Sequence, residues 1–473
     1  MTNRTGLIAR ILPGALLMSG CSTVPPASHP AVPVPGAYPL ALAAPAETAV
    51  QMGWQDFFTD TEMRSLIYRA LDNNRDLQAA AARIAQARAD VSISGADLAP
   101  QVSGSAGMAK VGVPDALARM LRDDTLTSYN GLLQARWEID LFGRLRKLQA
   151  AARERYLASA EARRGLATSL VAQVAAGYLA DREYAERLAL AHETLANRER
   201  ALHMLTRRYE VGSGSKIDVT QAETLRTQAA AEIPAIELAR AQNRDALAVL
   251  VGEPIADSAL QHSLAQVGLT QQIRPGLPSA LLANRPDIVA TEHRLRAAEA
   301  NIGAARAAFF PSISLTGIAG SSSRDLDGLF GAGTGLWLFR PSISLPIFTA
   351  GKLRANLRLS EARRDEMLAA YEATIQGAFR DVADALAQRH WLAEQITTID
   401  QSIVALSERS RLAQLRYDAG RSAFLEVLDA ERDRFSAEQK RIQLRRAWLA
   451  SGVALYAALG GGFSEPEPQR RNP

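Results

Sequence analysis

The chain has 473 residues, 47% apolar and 22% charged, which supports an extensive folded core and excludes a wholly disordered polymer. A formal charge of +4 is too small for a nucleic-acid polyelectrolyte. Six histidines without ligand spacing and a single cysteine exclude an intramolecular disulfide and a thiolate zinc cluster, and they argue against metal or Cys/His catalysis.

At the start, "MTNRTGLIARILPGALLMSGC" places Arg4 and Arg10 ahead of an apolar run from Ile11 to Met18, with Ser19 and Gly20 directly before Cys21. That order of charged, apolar and small residues predicts an export signal over residues 1–20. Small residues before a cysteine are similar to the bacterial lipobox, although Met18 stands where leucine is usual. The expectation is an extracytoplasmic lipoprotein with a diacylglycerol and an N-acyl chain (palmitate) on Cys21, and no other cofactor or metal. Residues 21–53 are studded with prolines, which forbid helix and favour an extended tether. No run of about 18 apolar residues follows, so any membrane crossing after the signal must use strands.

The rest divides into two halves on one plan. "NNRDLQ" at Asn73 and "NRPDIV" at Asn284 each carry an Asp three residues on and a proline 24 residues after that Asp. More strictly, Gly143, Tyr209, Gly212, Val219, Glu223 and Gly252 recur 208 residues later as Gly351, Tyr417, Gly420, Val427, Glu431 and Gly460.

In the first half, residues 54–253, the capping-box spacing of Thr59 and Glu62 opens a helix predicted to reach about Asp97. The pattern then switches to alternation, predicting strands over about 100–111 and 130–141. In "LLQARWEIDL", Leu133, Ala135, Trp137, Ile139 and Leu141 alternate with Gln134, Arg136, Glu138 and Asp140, giving one apolar and one wet face. The wet charges are candidates to line a pore; Trp137 and Trp337 are candidates for an interfacial aromatic girdle. A proline-free run from Gly143 to about Glu210 predicts a helix on the order of 100 Å long, with Leu166, Leu170, Val174 and Tyr178 as an apolar stripe. The turn from Gly212 to Ser215 reverses the chain into a helix over about Ile217 to Leu250.

A connector over 254–277 leads to the second half, 278–460, which repeats the order: a helix from Pro278 to about Ala308, strands over about 311–320 and 336–348, a long helix from Gly351, the Tyr417 turn and a return helix to Leu459. Pro341 and Pro346 sit poorly in a paired ladder and are read as a bend into the long helix. A tail over 461–473 ends the chain.

Four amphipathic strands suit a membrane β-barrel but cannot close one, and an open edge in lipid leaves backbone groups unpaired at several kcal/mol each. The chain is therefore expected to oligomerise. The long helices are too polar for a hydrocarbon layer about 30 Å thick and must project into water as a helical assembly.

"RPDI" at Arg285, "AAEANIGAARAAFFPSISLTG" from Ala297, "WEIDLFGR" at Trp137 and the paired tip turns closely resemble the TolC-like outer membrane factors of tripartite efflux pumps, in their lipoprotein (NodT-type) branch. The resemblance spans about Trp54 to Gly460. It implies a mostly α chain with a transmembrane β part: a homotrimer whose twelve strands form one outer-membrane barrel, continued by a periplasmic α-helical barrel. It further implies a passive exit duct for drugs or other small molecules, partnered by a periplasmic membrane-fusion adaptor and an inner-membrane transporter of RND type. At the periplasmic tip, Tyr417, Glu426 and Asp429 match the family's tip tyrosine and acidic ring positions, and Asp218 matches an acid that helps close it. The family's arginine two residues past the turn glycine is Ser422 here, leaving Arg421, one residue early, as the candidate lock. Gly212 and Gly420 mark the adaptor-docking tips. Independently of the family, positions three apart share a helix face, so Glu426 and Asp429 can look into one lumen and favour cations.

The same residues allow other readings. Glu426 and Asp429 could be solvated acids favoured near a helix start, or a carboxylate pair, but a long hairpin offers no substrate pocket and no enzyme is expected. The same architecture would also serve as a type I protein secretion duct. A non-transport periplasmic coiled-coil scaffold is the contrasting class, and the alternating strands count against it.

Overall fold

In a computed structural model of the chain, the residues described are 52–121, 124–256, 260–270 and 280–461. The export signal, Cys21, the tether, much of the connector and nearly all of the tail lie outside them. The first half holds α1 (Trp54–Phe57), α2 (Thr61–Asn73), α3 (Arg75–Ala96), β1 (Gln101–Gly112), α4 (Asp115–Leu121), β2 (Thr125–Ile139), α5 (Arg144–Glu210) and α6 (Lys216–Val251). The second holds α7 (Ala280–Asn284), α8 (Pro286–Ala307), β3 (Ser312–Ser323), β4 (Gly335–Ser344), α9 (Lys352–Asp418) and α10 (Phe424–Ala458). Both α5 and α9 have 67 residues, about 100 Å at 1.5 Å per residue. No described helix is long and apolar enough to cross a membrane.

Several boundaries differ from the sequence expectation for physical reasons. The helix expected from Thr59 to Asp97 is two helices, and Asp60 rather than Thr59 caps the first: its Oδ1 accepts the Met63 N–H at 2.8 Å. Glu62 abandons the capping box and accepts instead from the backbone N–H groups of Gln261 and His262 and from the Tyr178 hydroxyl. At the break, Asn74 Oδ1 accepts the N–H groups of Asp76 and Leu77 at 3.0 and 3.1 Å, satisfying donors that open α3. The helix expected from Pro278 also breaks, between α7 and α8, where Pro286 opens α8 and has no N–H to leave unpaired. The short α4 between β1 and β2 was not foreseen, and β2 starts five residues earlier than expected.

The strands form one antiparallel sheet in the order β1-β2-β3-β4. Pro341 does not bend the chain: it pairs with Leu315 inside β4, an outer strand, where a missing N–H is tolerated; β4 ends before Pro346. Directly paired residues share a face and successive residues alternate, so the register sorts the side chains without ambiguity. One face carries Val102, Met108, Leu133, Trp137, Leu315, Trp337, Phe339 and Ile343. The other carries Ser103, Asn130, Gln134, Arg136, Glu138, Ser314, Thr316, Arg340 and Ser342, together with Leu132, Ile318, Leu336 and Leu338. The outer edges of β1 and β4 pair with no strand among the described residues.

Two compact units emerge. One comprises Ala87–Tyr156 and His293–Ala369 and contains the sheet; the other comprises the described parts of 34–86, 157–292 and 370–473. In the second, Tyr178, Leu179, Leu247, Ile375 and Leu428 are fully buried, and Phe57 stacks on Tyr456 with ring centres 4.4 Å apart.

The six glycines that recur at a spacing of 208 all have left-handed backbones: φ is +78°, +75° and +81° at Gly143, Gly212 and Gly252, and +83°, +69° and +97° at Gly351, Gly420 and Gly460. Gly252 and Gly460 carry a second constraint, because a Cβ there would lie 2.7 Å from the Asn73 carbonyl oxygen and 2.9 Å from that of Asn284. Each half is thus closed by its last glycine packing on the helix break of the same half. Replacing Gly212 with Ala should cost about 1–2 kcal/mol through φ alone, since nothing lies within 4 Å of its added methyl. Gly252→Ala adds a backbone clash and should cost more; equal midpoints for the two variants in thermal unfolding would refute the second constraint.

Candidate functional site

The two hairpin tips are built alike. After α5, Gly212 N–H donates to Tyr209 O at 3.0 Å and Ser213 N–H to Arg208 O at 2.8 Å. After α9, Gly420 N–H donates to Tyr417 O at 2.9 Å and Arg421 N–H to Arg416 O at 2.8 Å. This pair of bonds needs a left-handed residue at the turn, which is why glycine recurs there. Ser215 then caps α6 by accepting the Ile217 N–H at 3.1 Å.

The tips share one core. Leu205, Val219 and Ala222 from the first hairpin pack with Ala413, Phe424, Val427, Leu428 and Ala430 from the second. At its margin the Tyr417 ring meets Phe424 edge-on, with centroids 4.8 Å apart. The Arg208 guanidinium lies 4.9 Å from the Tyr417 ring centre and also donates to the Tyr417 hydroxyl. A cation over an aromatic face with a hydrogen bond at its rim is a directional link, and it joins the end of α5 to the end of α9.

The predicted acids are placed as follows. Glu426, in the first turn of α10, pairs with Arg416 at 3.1 Å, and Asp429, one turn on, pairs with Arg432 at 3.2 Å. Arg432 also reaches Asp433, which Arg409 approaches at 2.8 Å. Asp218 is half-buried in the first turn of α6. Among the described residues neither Asp218 nor the exposed Arg421 side chain forms an ion pair, so within one chain Arg421 is no lock. Arg208 makes the inter-hairpin link to Tyr417. Sequence reasoning missed it because its partner lies 209 residues away; the one signal available was that Arg208 and Arg416 are equivalent in the two halves.

At the sheet, two of the candidate pore charges prove to be engaged. Glu138 accepts from Arg144 through both carboxylate oxygens at 2.8 and 2.9 Å. Asp140 accepts the backbone N–H groups of Leu145 and Arg146 at 3.1 and 2.9 Å, so it caps α5 and fixes the exit of β2 into the helix. Arg136 remains exposed on the polar face. Trp137 and Trp337 share the apolar face; the indole of Trp137 donates to Leu98 O at 2.9 Å.

The described stretch of connector is held by ionisable groups. Asp60 Oδ2 lies 2.7 Å from His262 Nδ1, and this hydrogen bond, opposed by slight desolvation and aided by the charges of Asp60 and Glu62, raises the His262 pKa. A raised folded pKa means that the contact's contribution is complete below the unfolded value, about 6.5, and is lost as pH climbs through the folded one. His262→Ala should therefore lower the melting temperature more at pH 6 than at pH 9. An equal loss at both pH values would show that the imidazolium plays no part.

A model of the outer membrane efflux protein family matches residues 66–253 and, again, 277–461. The toluene efflux pump outer membrane protein TtgF of Pseudomonas putida is 41% identical over 466 residues, covering 96% of this chain and 97% of that one. Outer membrane protein OprJ of Pseudomonas aeruginosa is 41% identical over 454 residues, covering 95% of each. Among solved structures, a membrane protein from Pseudomonas aeruginosa superposes with a TM-score of 0.87 at 40% identity, covering 93% of this chain and all of that one. The open-state MtrE outer membrane channel of Neisseria gonorrhoeae gives 0.85 at 37% identity, covering 93% and 98%.

Proposed function

The chain belongs to the outer membrane efflux protein family, an outer-membrane component of efflux pumps, and from this premise we propose that three copies build one continuous duct with a controlled periplasmic end. The observation that carries the reading is the sheet. Its register puts a face rich in large apolar side chains opposite one that carries Arg136, Glu138 and Arg340, while both outer edges pair with no strand among the described residues. In lipid those edges need partners, and β4 of one chain can pair with β1 of the next; three repeats of the operation give a closed twelve-stranded barrel whose apolar face meets lipid and whose polar face lines the lumen. Helices α3, α5, α8 and α9 would continue the wall into the periplasm. The two halves, each with its own strand pair and hairpin, would supply equivalent sixths of that wall. An acylated Cys21 would tether the trimer to the membrane.

At the far end, Glu426 and Asp429 of three chains would ring the constriction, with Tyr417 and Asp218 beside it. The Gly212 and Gly420 turns would meet the hairpins of an adaptor that couples the duct to a transporter of the inner membrane. Val211 and Ile217, 78% and 66% exposed on either side of the first turn, suit such helical docking. The duct is passive, drugs and other small molecules being expelled by the partner's energy.

Purified protein in a planar bilayer should conduct, and native mass spectrometry should show three chains per channel. A monomer without conductance would defeat the reading and favour a periplasmic scaffold.

A further inference from the structure

We infer that a groove on α8 binds an amphiphilic organic anion from solution. In the sheet-containing unit, α8 is flanked by its own chain on both sides. Glu154 of α5 contacts His293 at 2.7 Å and Arg155 contacts Asn301 at 3.4 Å, while Glu361 of α9 contacts Arg306 at 3.6 Å. On α8, the buried Ala297 and Ala298 are too short to fill the space between the longer side chains of α5 and α9. The result is a groove of about 430 Å³ with an alanine floor and Met367 on its wall. That volume falls within the range of small-molecule sites, about 300–1,000 Å³, and is small for a lipid with two acyl chains.

The charge around this floor is unbalanced. Arg155, Arg294 and Arg363 line it against one carboxylate, Glu366. Neighbouring arginines are paired, Arg364 with Asp365 at 3.0 Å and Arg306 with Glu361, but Arg294 and Arg363 have no ion pair among the described residues. Two guanidinium groups over an apolar floor match a sulfonate or carboxylate head on a flat hydrocarbon body, because the fork geometry recognises planar and tetrahedral oxyanions and the floor takes the ring. Two geometric facts exclude other occupants. In the trimer proposed above, on which this point rests, a second chain would add at the edges of β1 and β4, whereas α8 precedes the interior strand β3, so the groove would not be a seam between protomers. Asn301 lies six residues before the end of α8 and Ser360 eight residues into α9, so the near end of the groove is about 9–12 Å from the helix ends that face the strands, and a sheet set in lipid would leave it on the aqueous side.

The test is calorimetric titration of naphthalene-2-sulfonate into the full-length protein in zwitterionic lipid nanodiscs, with 2-naphthyltrimethylammonium as the charge-reversed probe. One sulfonate per chain is expected, with affinity about tenfold or more weaker in the R294Q/R363Q variant and an intermediate loss in R294K/R363K, which keeps the charge but not the fork. Unchanged sulfonate affinity in the glutamine variant, or equally tight binding of the ammonium probe, overturns the inference. So does loss of sulfonate binding to the wild-type protein when the nanodisc lipid is changed to phosphatidylglycerol, which would assign the groove to a lipid headgroup.

Discussion

Asp181→Ala should lower unfolding stability by about 3–5 kcal/mol, the largest effect expected of any single polar substitution in the chain. Asp181 is wholly buried on α5 and faces three arginines: Arg182 beside it, Arg240 at 3.1 Å and Arg244 at 2.7 Å on α6. Arg182 in turn donates to the carbonyls of Leu260 and His262 and so pins the connector to the same helix. Without the carboxylate, the buried Arg182 and the partly exposed Arg240 and Arg244 lose the charge that holds them together. Burial alone would raise the Asp181 pKa, but hydrogen bonds from Arg244, Arg240 and Arg182 hold it below the ordinary value. Its contribution is accordingly present above the unfolded pKa near 3.9 and is lost only as pH falls through the lower folded value. Denaturant unfolding at pH 7 checks this, with Glu210→Ala as control: its pair with Arg207 is 53% and 71% exposed and should be worth within about 0.5 kcal/mol. Similar losses for the two variants would refute the network's importance.

The second large effect is electrostatic and concerns the tip. Replacing Glu426 and Asp429 together with Ala should move the channel's reversal potential toward anion preference, because Arg416 then stands unopposed and Arg432 keeps only Asp433. The complementary Arg416→Ala and Arg432→Ala double variant should move it toward cations. The opposite signs follow from the pairs seen here: Glu426 and Asp429 are each compensated within their own chain, so a ring built from three copies of them is closer to neutral than six bare carboxylates. Reversal potentials under a salt gradient decide the matter. If both double variants keep the wild-type value, neither acid reaches the conduction path.

Much of this molecule is legible in the chain. The recurrence at 208 residues, the alternation in "LLQARWEIDL" and the six repeated glycines locate the strands, the long helices and their turns. Those signals are local: a left-handed turn selects glycine and a two-faced strand selects alternation, whatever the rest of the chain does. The helix breaks at Asn74 and Arg285 carry local signals, Asn74 as a helix cap and Pro286 as a first helical residue, that the long periodic runs masked; only their distant partners, Leu250 for Asn74 and Asp381 for Arg285, were not legible. Asp140 reads as a pore charge until its carboxylate is seen capping α5 only five and six residues on.

The sequence by itself determined that the chain is a duplicated plan of strands and helices too polar for lipid. Periodicity and turn chemistry are properties of neighbours within a few residues. Only the tertiary structure decided what each charge does. Glu426 pairs with Arg416, Tyr417 with Arg208, and Asp181 with three arginines, while Arg421 pairs with none among the described residues. Charged side chains select partners by distance in space, and a spacing of 24 or 209 residues carries no periodicity from which that distance could be read.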